Sequence, residues 1–159
     1  MKNIYIGLGS NLNNPISQVK TALRILTTIP ATHLQIHSSL YRSKAIGPKN
    51  QPNYINAVAI LSTRLSPFNL LHKLQTIENE RGRTRNGKRW QARVLDLDIL
   101  MYDNKQLHTK KLTLPHPELY NRMFVLAPLY ECVPELILPN GQRLSDLIQH
   151  NFHEKVWQI

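Results

Sequence analysis

The sequence predicts an α+β fold, with helices packed on a mostly antiparallel sheet, and three observations carry that reading. Short apolar runs of strand length occur at Ile4–Leu8, Leu34–Tyr41, Tyr54–Leu61 and Val94–Tyr102. Apolar stripes at helical spacing occur at Ile16, Val19, Leu23 and Leu26, and again at Leu70, Leu71, Leu74 and Ile77. The two kinds interleave in the order strand, helix, strand, strand, helix, strand. With 159 residues, 42% of them apolar, the chain holds enough material for one domain, spanning residues 1–159, with its own core.

In chain order, Ile4-Tyr5-Ile6-Gly7-Leu8 is a strand ended by the turn residues Gly9-Ser10-Asn11. Asn14 and Pro15 then read as the cap and first position of a helix that Pro30 stops. Leu34–Tyr41 predicts a strand with Leu34, Ile36, Ser38 and Leu40 on one face. Ser43 to Pro52 is a loop by its Gly and Pro punctuation. Tyr54–Leu61 is apolar on both faces, as a central strand should be, except that Tyr54 and Asn56 put a ring and an amide on one side. Ser66-Pro67 caps the second helix, with Gln75, Glu78 and Glu80 off its apolar stripe on a face that reads as solvated. Gly82 ends that helix.

Arg83 to Ala92 has no apolar periodicity and forms a cationic loop carrying Trp90, a ring flanked by arginines of the kind that serves binding more than packing. From Val94 the residues alternate, Leu95, Leu97, Ile99 and Met101 facing one way and Val94, Asp96, Asp98 and Leu100 the other. Asp103-Asn104 is a turn signal that pairs Lys105–His108 back on that strand. Thr113-Leu114-Pro115-His116-Pro117 is rigid and extended. A helical turn beginning near Pro117 carries Arg122, and its helix is buried by Phe124, Val125, Leu126 and Leu129. Asn140-Gly141 is a turn, and Leu144–His150 a short terminal helix. The order βαββαβ is the split-βαβ, ferredoxin-like arrangement, here with a helical C-terminal addition.

Charge narrows the function. The formal net charge of +10 calls for an anionic partner. Six cations and no acids lie from Arg81 to Arg93, directly before Asp96 and Asp98. In a strand these two carboxylates share a face about 6.6 Å apart along the chain. An isolated Asp-x-Asp is commonly just the wet face of an edge strand. Beside a cationic loop the pair fits a Mg²⁺–phosphate site, which needs both signs, better than a nucleic-acid surface, which needs only one. His116, fixed between two prolines, and Arg122 read as a second phosphate clamp. Cys132 is the only cysteine, so an internal disulfide is excluded and no thiolate metal site is credible. The absence of a signal-type apolar segment in Met1–Gly7, and of any run near the ~20 apolar residues a span needs, predicts a cytoplasmic protein.

The residues resemble the 6-hydroxymethyl-7,8-dihydropterin pyrophosphokinases of folate biosynthesis nearly end to end. The resemblance rests on Leu8-Gly9-Ser10-Asn11-Leu12, Gln51-Pro52-Asn53-Tyr54-Ile55-Asn56-Ala57, Gly82-Arg83-Thr84-Arg85, Arg89-Trp90 with Arg93, Leu95-Asp96-Leu97-Asp98-Ile99, and Pro115-His116-Pro117 with Arg122-Met123-Phe124-Val125-Leu126. It implies transfer of pyrophosphate from ATP to the hydroxymethyl group of the pterin, with AMP released. It implies Asp96 and Asp98 as ligands of two Mg²⁺ ions, and Arg83, Arg93, His116 and Arg122 as catalytic cations. Ser43, Ile46, Tyr54, Asn56, Trp90 and Phe124 match positions around the pterin, with Trp90 folding in as the cationic loop closes. Leu71, Gln75, Glu78, Arg85, Arg89, Ile99, Lys111 and Thr113 match positions around the nucleotide. The implied partners are ATP and the pterin, with no nucleic acid or membrane, and the implied state is a monomer. Two segments depart from the usual pattern: Gln91-Ala92 before Arg93, and Lys44-Ala45 after Ser43.

Overall fold

The computed structural model describes residues 1–45, 51–82 and 94–159. Strand β1 (Lys2–Ser10) leads to helix α1 (Pro15–Leu26), then β2 (Thr32–His37), β3 (Tyr41–Ser43), β4 (Tyr54–Thr63) and helix α2 (Pro67–Glu80). Strand β5 (Asp96–Tyr102), the short β6 (Leu107–His108) and β7 (Thr113–Leu114), helices α3 (Met123–Cys132) and α4 (Leu144–Asn151), and β8 (Val156–Gln158) complete the order. The main sheet runs β5-β1-β4-β3-β8, with β2 also paired to β4, and every pairing is antiparallel. The strand at which the first βαβ unit returns, β2, is separated from β1 by β4, which is the split order the sequence predicts.

Alternation along the strands divides the core into two layers. Ile4, Ile6 and Leu8 of β1, Ile55, Ala57, Ala59 and Leu61 of β4, and Leu97 and Ile99 of β5 face α1 and α2. Val58, Leu100 and Met101 face α3 and α4, with Leu126, Leu129 and Leu144 fully buried against them. Burying one apolar stripe of each helix on a sheet face removes apolar area at about 25 cal/mol per Å², the main stabilising term. Ser66 caps α2 by accepting the Asn69 N–H, whereas Asn14 stands at the N-cap of α1 in the left-handed region without a side-chain capping bond.

Four local expectations are corrected. The 34–41 strand is two strands: Ser38 interrupts it, donating its N–H to the Val58 carbonyl at 2.8 Å while its Oγ accepts the Val58 N–H at 2.9 Å. A side chain thus completes the ladder where the backbone turns away, and Ile36 is left exposed. Met101 shares the α3 face with Leu100, because the register with β1 shifts by one residue between Tyr5 and Ile6 and the extra residue resets the alternation. Residues 105–108 do not pair with β5; β6 pairs with β7 in a separate ribbon, Leu107 opposite Leu114. The C-terminal addition is not purely helical, since it ends in β8, paired with β3.

Candidate active site

One row of the sheet organises the site. Gly9 of β1 lies opposite Asp96 of β5 on one side and opposite Asn56 of β4 on the other. Residues in register across adjacent strands point to the same face. Asp96 and Asn56 therefore flank a position with no side chain, about 10 Å apart by two strand spacings. One row further along, Gly7 lies between Asp98 and Val58, and the Leu100 side chain packs over it, 3.3 Å from where a Cβ would stand. A Cβ on Gly9 would stand 3.5 Å from Asn56 Oδ1 and 3.6 Å from the Tyr54 ring. Gly9 thus floors a trough with Asp96 on one wall and Tyr54 and Asn56 on the other.

The second wall is built by strand pairing. Ser43 lies opposite Tyr54, and Tyr41 opposite Asn56. Asn56 Nδ2 donates to Ser43 Oγ at 2.7 Å, and both residues are buried. Their amide and hydroxyl are thus fixed in orientation at the edge of an aromatic surface. Phe124, half-buried in the first turn of α3, supplies a second ring on the same sheet face as Val58 and Leu100. Asn11, also buried, ties the end of β1 to the segment leading into β4 through bonds to Gln51 Oε1 (3.2 Å) and the Pro52 carbonyl (3.1 Å).

On the carboxylate side, Asp96 and Asp98 are half-buried on β5. Two carboxylates on one face of one strand form an all-oxygen donor pair, the type Mg²⁺ takes when phosphate oxygens and waters complete its octahedron. Among the described residues no group of three or more His, Cys, Asp or Glu converges. His116 approaches along the same strand, its N–H bonded to the Leu100 carbonyl at 2.8 Å. The Glu118 N–H donates to His116 Nδ1 at 3.1 Å, so the proton of the neutral ring is assigned to Nε2. Burial lowers the His116 pKa below the ordinary 6.5, against the opposing pull of Glu118 and Asp96. The ring is a neutral donor near pH 7. Arg122 is oriented by Glu118, Nε to Oε2 at 3.2 Å.

Next to the carboxylates a cleft of about 290 Å³ opens beyond the edge of β5, lined by Leu71, Gln75, Glu78, Leu97, Asp98, Ile99, Lys110, Lys111, Leu112, Thr113, His116 and Pro117. Every expected nucleotide residue within the described chain lines it. Because β5 is the sheet's edge, its outer backbone groups face this cleft. Glu78 does not lie on a solvated face: it is 2% exposed and its Oε2 accepts the Leu97 N–H at 2.8 Å. The structure adds Lys110, Gly9 and Asn11 to the residues foreseen; the adjacent Lys110-Lys111 pair was the one available sequence signal for the first. Ile46, Arg83, Arg85, Arg89, Trp90 and Arg93 lie outside the described residues.

Residues 5–134 match the family described as 7,8-dihydro-6-hydroxymethylpterin-pyrophosphokinase (HPPK). The chain is 49% identical over 155 residues to the 2-amino-4-hydroxy-6-hydroxymethyldihydropteridine pyrophosphokinase of Haemophilus influenzae, covering 98% of this chain and 96% of the relative. It is 43% identical over 148 residues to the protein of that name from Pseudomonas aeruginosa, covering 93% and 91%. Among solved structures, HPPK-DHPS in complex with substrates aligns with a TM-score of 0.70 at 11% identity, covering 96% of this chain and 45% of that one. Wild-type Plasmodium falciparum HPPK-DHPS with pteroate aligns at 0.70 and 12% identity, covering 94% and 42%. This chain thus spans less than half of those longer chains, and the likeness to them is one of fold.

Proposed function

The chain belongs to the 7,8-dihydro-6-hydroxymethylpterin-pyrophosphokinase family, and from that premise we propose how its own residues divide the work. The activity is transfer of a pyrophosphoryl group from ATP to the hydroxymethyl group of 6-hydroxymethyl-7,8-dihydropterin, a step in folate biosynthesis. The observation that carries the assignment of residues is the row Asp96–Gly9–Asn56, which brings a carboxylate pair and an amide–aromatic wall to opposite sides of one trough.

Tyr54 and Phe124 sandwich the pterin, and Asn56, held by Ser43, reads its amide-like edge with donors and acceptors fixed in advance. The nucleotide lies in the cleft of Leu71, Gln75, Glu78, Ile99, Lys111 and Thr113, its base against the backbone edge of β5. Its triphosphate passes over Asp96 and Asp98 toward the trough. These two carboxylates would hold Mg²⁺, two ions in the full complex, and the metal would supply charge neutralisation of the triphosphate and polarisation at the β-phosphorus. His116 donates its Nε2 proton, and Arg122 its guanidinium, to oxygens that gain charge as the bond between the α-phosphate oxygen and the β-phosphorus breaks. The hydroxymethyl oxygen forms the new bond to the β-phosphorus, its proton passes to solvent, and AMP leaves. Arg83, Arg85, Arg89 and Arg93 add positive charge to the site, and Ile46 and Trp90 are assigned to the pterin, on the family resemblance alone. Positioning and charge neutralisation supply the catalysis, with no strong base among these residues.

We also propose that the protein acts as a cytoplasmic monomer and engages neither nucleic acid nor membrane; no described helix is long and apolar enough to cross a bilayer. Titration calorimetry with a non-hydrolysable ATP analogue tests the division of roles. Binding should need Mg²⁺, and Asp96→Asn or Asp98→Asn should remove that dependence. Equal affinity with and without Mg²⁺ in the unmodified protein would contradict the carboxylate assignment.

A further inference from the structure

Arg122 occupies the N-cap of α3, where its side chain makes no capping hydrogen bond. A cation there also faces the positive end of the helix dipole. Two carboxylates offset both defects. Glu118 pairs with the Arg122 guanidinium at 3.2 Å, and Glu154, half-buried after α4, accepts the Met123 N–H on its Oε2 at 2.9 Å. Glu154 thus does from the far end of the chain what Ser or Asp at the cap would ordinarily do.

The same C-terminal segment grips this corner once more. Asn151 Nδ2 donates to the Tyr120 carbonyl at 3.2 Å, in the turn just before Arg122. Glu154 is itself placed by its N–H bond to the Asn151 carbonyl at 3.0 Å. Two residues on, Val156 enters β8 opposite Ser43. Residues 151–158 therefore touch both halves of the pterin wall: the Arg122–Phe124 corner through Asn151 and Glu154, and Ser43 through β8.

We infer that Glu154 is a positioning residue for the transfer reaction, fixing the first turn of α3 so that Phe124 and Arg122 meet the pterin and the phosphate chain. The inference rests on the placement of the pterin against Phe124 given above. It explains an arginine at a helix N-cap, a position its charge disfavours: local stability is given up for a functional cation and restored by a distant carboxylate.

The test uses the full chain and four variants, Glu154→Ala, Glu154→Asp, Glu154→Gln and Phe124→Ala, compared by pterin KM, kcat, ATP-analogue affinity without pterin, and thermal melting. Loss of a charge-assisted bond should raise the pterin KM of Glu154→Ala about tenfold and lower kcat, while analogue affinity stays within about twofold, because the nucleotide cleft is built from other elements. Glu154→Asp, which keeps the charge but falls short by one methylene, should raise KM severalfold even if the alanine variant fails to fold. Glu154→Gln, whose amide oxygen accepts the same N–H without the charge, should fall between wild type and Glu154→Ala; a Gln variant worse than Ala would count against the positioning role. Folded Ala or Asp variants with wild-type pterin KM, whatever their melting temperatures, would overturn the positioning role. If Phe124→Ala also keeps its pterin KM, the fault lies in the pterin placement; if Phe124→Ala is impaired and the Glu154 variants are not, it lies in this inference alone.

Discussion

Asp96 and Asn56 stand in register on either side of Gly9, one on an edge strand and the other on the central strand of the sheet. The pairing fixes the separation between the carboxylate wall and the amide–aromatic wall through backbone hydrogen bonds alone. No loop has to move for those two walls to face each other.

Filling the gap between them should therefore be costly in proportion to side-chain size. At Gly9 a Cβ would meet its neighbours at 3.5–3.6 Å, ordinary contact distances, so Gly9→Ala should keep most activity. Gly9→Leu should lose turnover by about a hundredfold or more while far-UV circular dichroism stays unchanged, since the branched side chain projects into the reacting space. Full activity in the leucine variant would mean that the trough is not where the substrates meet.

The carboxylates should matter for chemistry and little for folding. Asp98→Ala should reduce kcat by about a thousandfold or more, the scale expected when charge stabilisation is lost. Its denaturation midpoint should change little, because the half-buried side chain faces the trough and not the apolar layers. Retained turnover would contradict a metal role.

Glu78 joins helix α2 to the edge of β5 through the Leu97 N–H. Glu78→Ala leaves a buried donor without this acceptor and should cost about 1.5–3 kcal/mol in urea denaturation, together with a raised ATP KM. Glu78→Gln keeps an acceptor and should fall between. Unchanged stability in the alanine variant would show that the bond contributes nothing net.

Acid stability gives a separate check on the strand carrying Ser43. Glu131 accepts bonds from Tyr41 Oη at 2.6 Å and from the Ser39 N–H and Oγ. Burial pushes its pKa up, but these bonds, with His37 nearby, outweigh that and hold it below the ordinary 4.5. A lowered folded value means that the unfolded chain takes up the proton first. The carboxylate's contribution is thus full above about pH 4.5 and is lost as pH falls through the folded value. The melting-temperature gap between wild type and Glu131→Gln should be widest near neutrality and narrow below pH 4.5. A gap independent of pH would refute this.

What could be read from the sequence follows the range of the interactions. The β1, α1, β4 and α2 elements announce themselves by period, because each buries a stripe or a face at fixed spacing. The Asp-x-Asp pair and the Tyr54–Asn56 face are legible for the same reason. The burial of Glu78 was not, since its position off the apolar stripe of α2 predicts water, and only the tertiary approach of β5 supplies Leu97 as a partner. The break at Ser38 was hidden because a hydroxyl standing in for a backbone group leaves no periodic trace. The bulge that turns Met101 to the α3 face, and the three-residue β8, are likewise set by pairing partners distant in sequence. Gly9 reads as a turn residue ending the first strand; it lies inside β1, and its meaning appears only when Asp96 and Asn56 are aligned opposite it.

The central claim is tested most directly by following where label goes from ATP. With Mg²⁺ and 6-hydroxymethyl-7,8-dihydropterin present, ATP labelled on the γ-phosphate should deliver its label to the pterin, and ATP labelled on the α-phosphate should yield labelled AMP in equal amount. Neither product should form without the pterin. Formation of ADP in place of AMP, or release of AMP without any transfer to the pterin, would contradict the account.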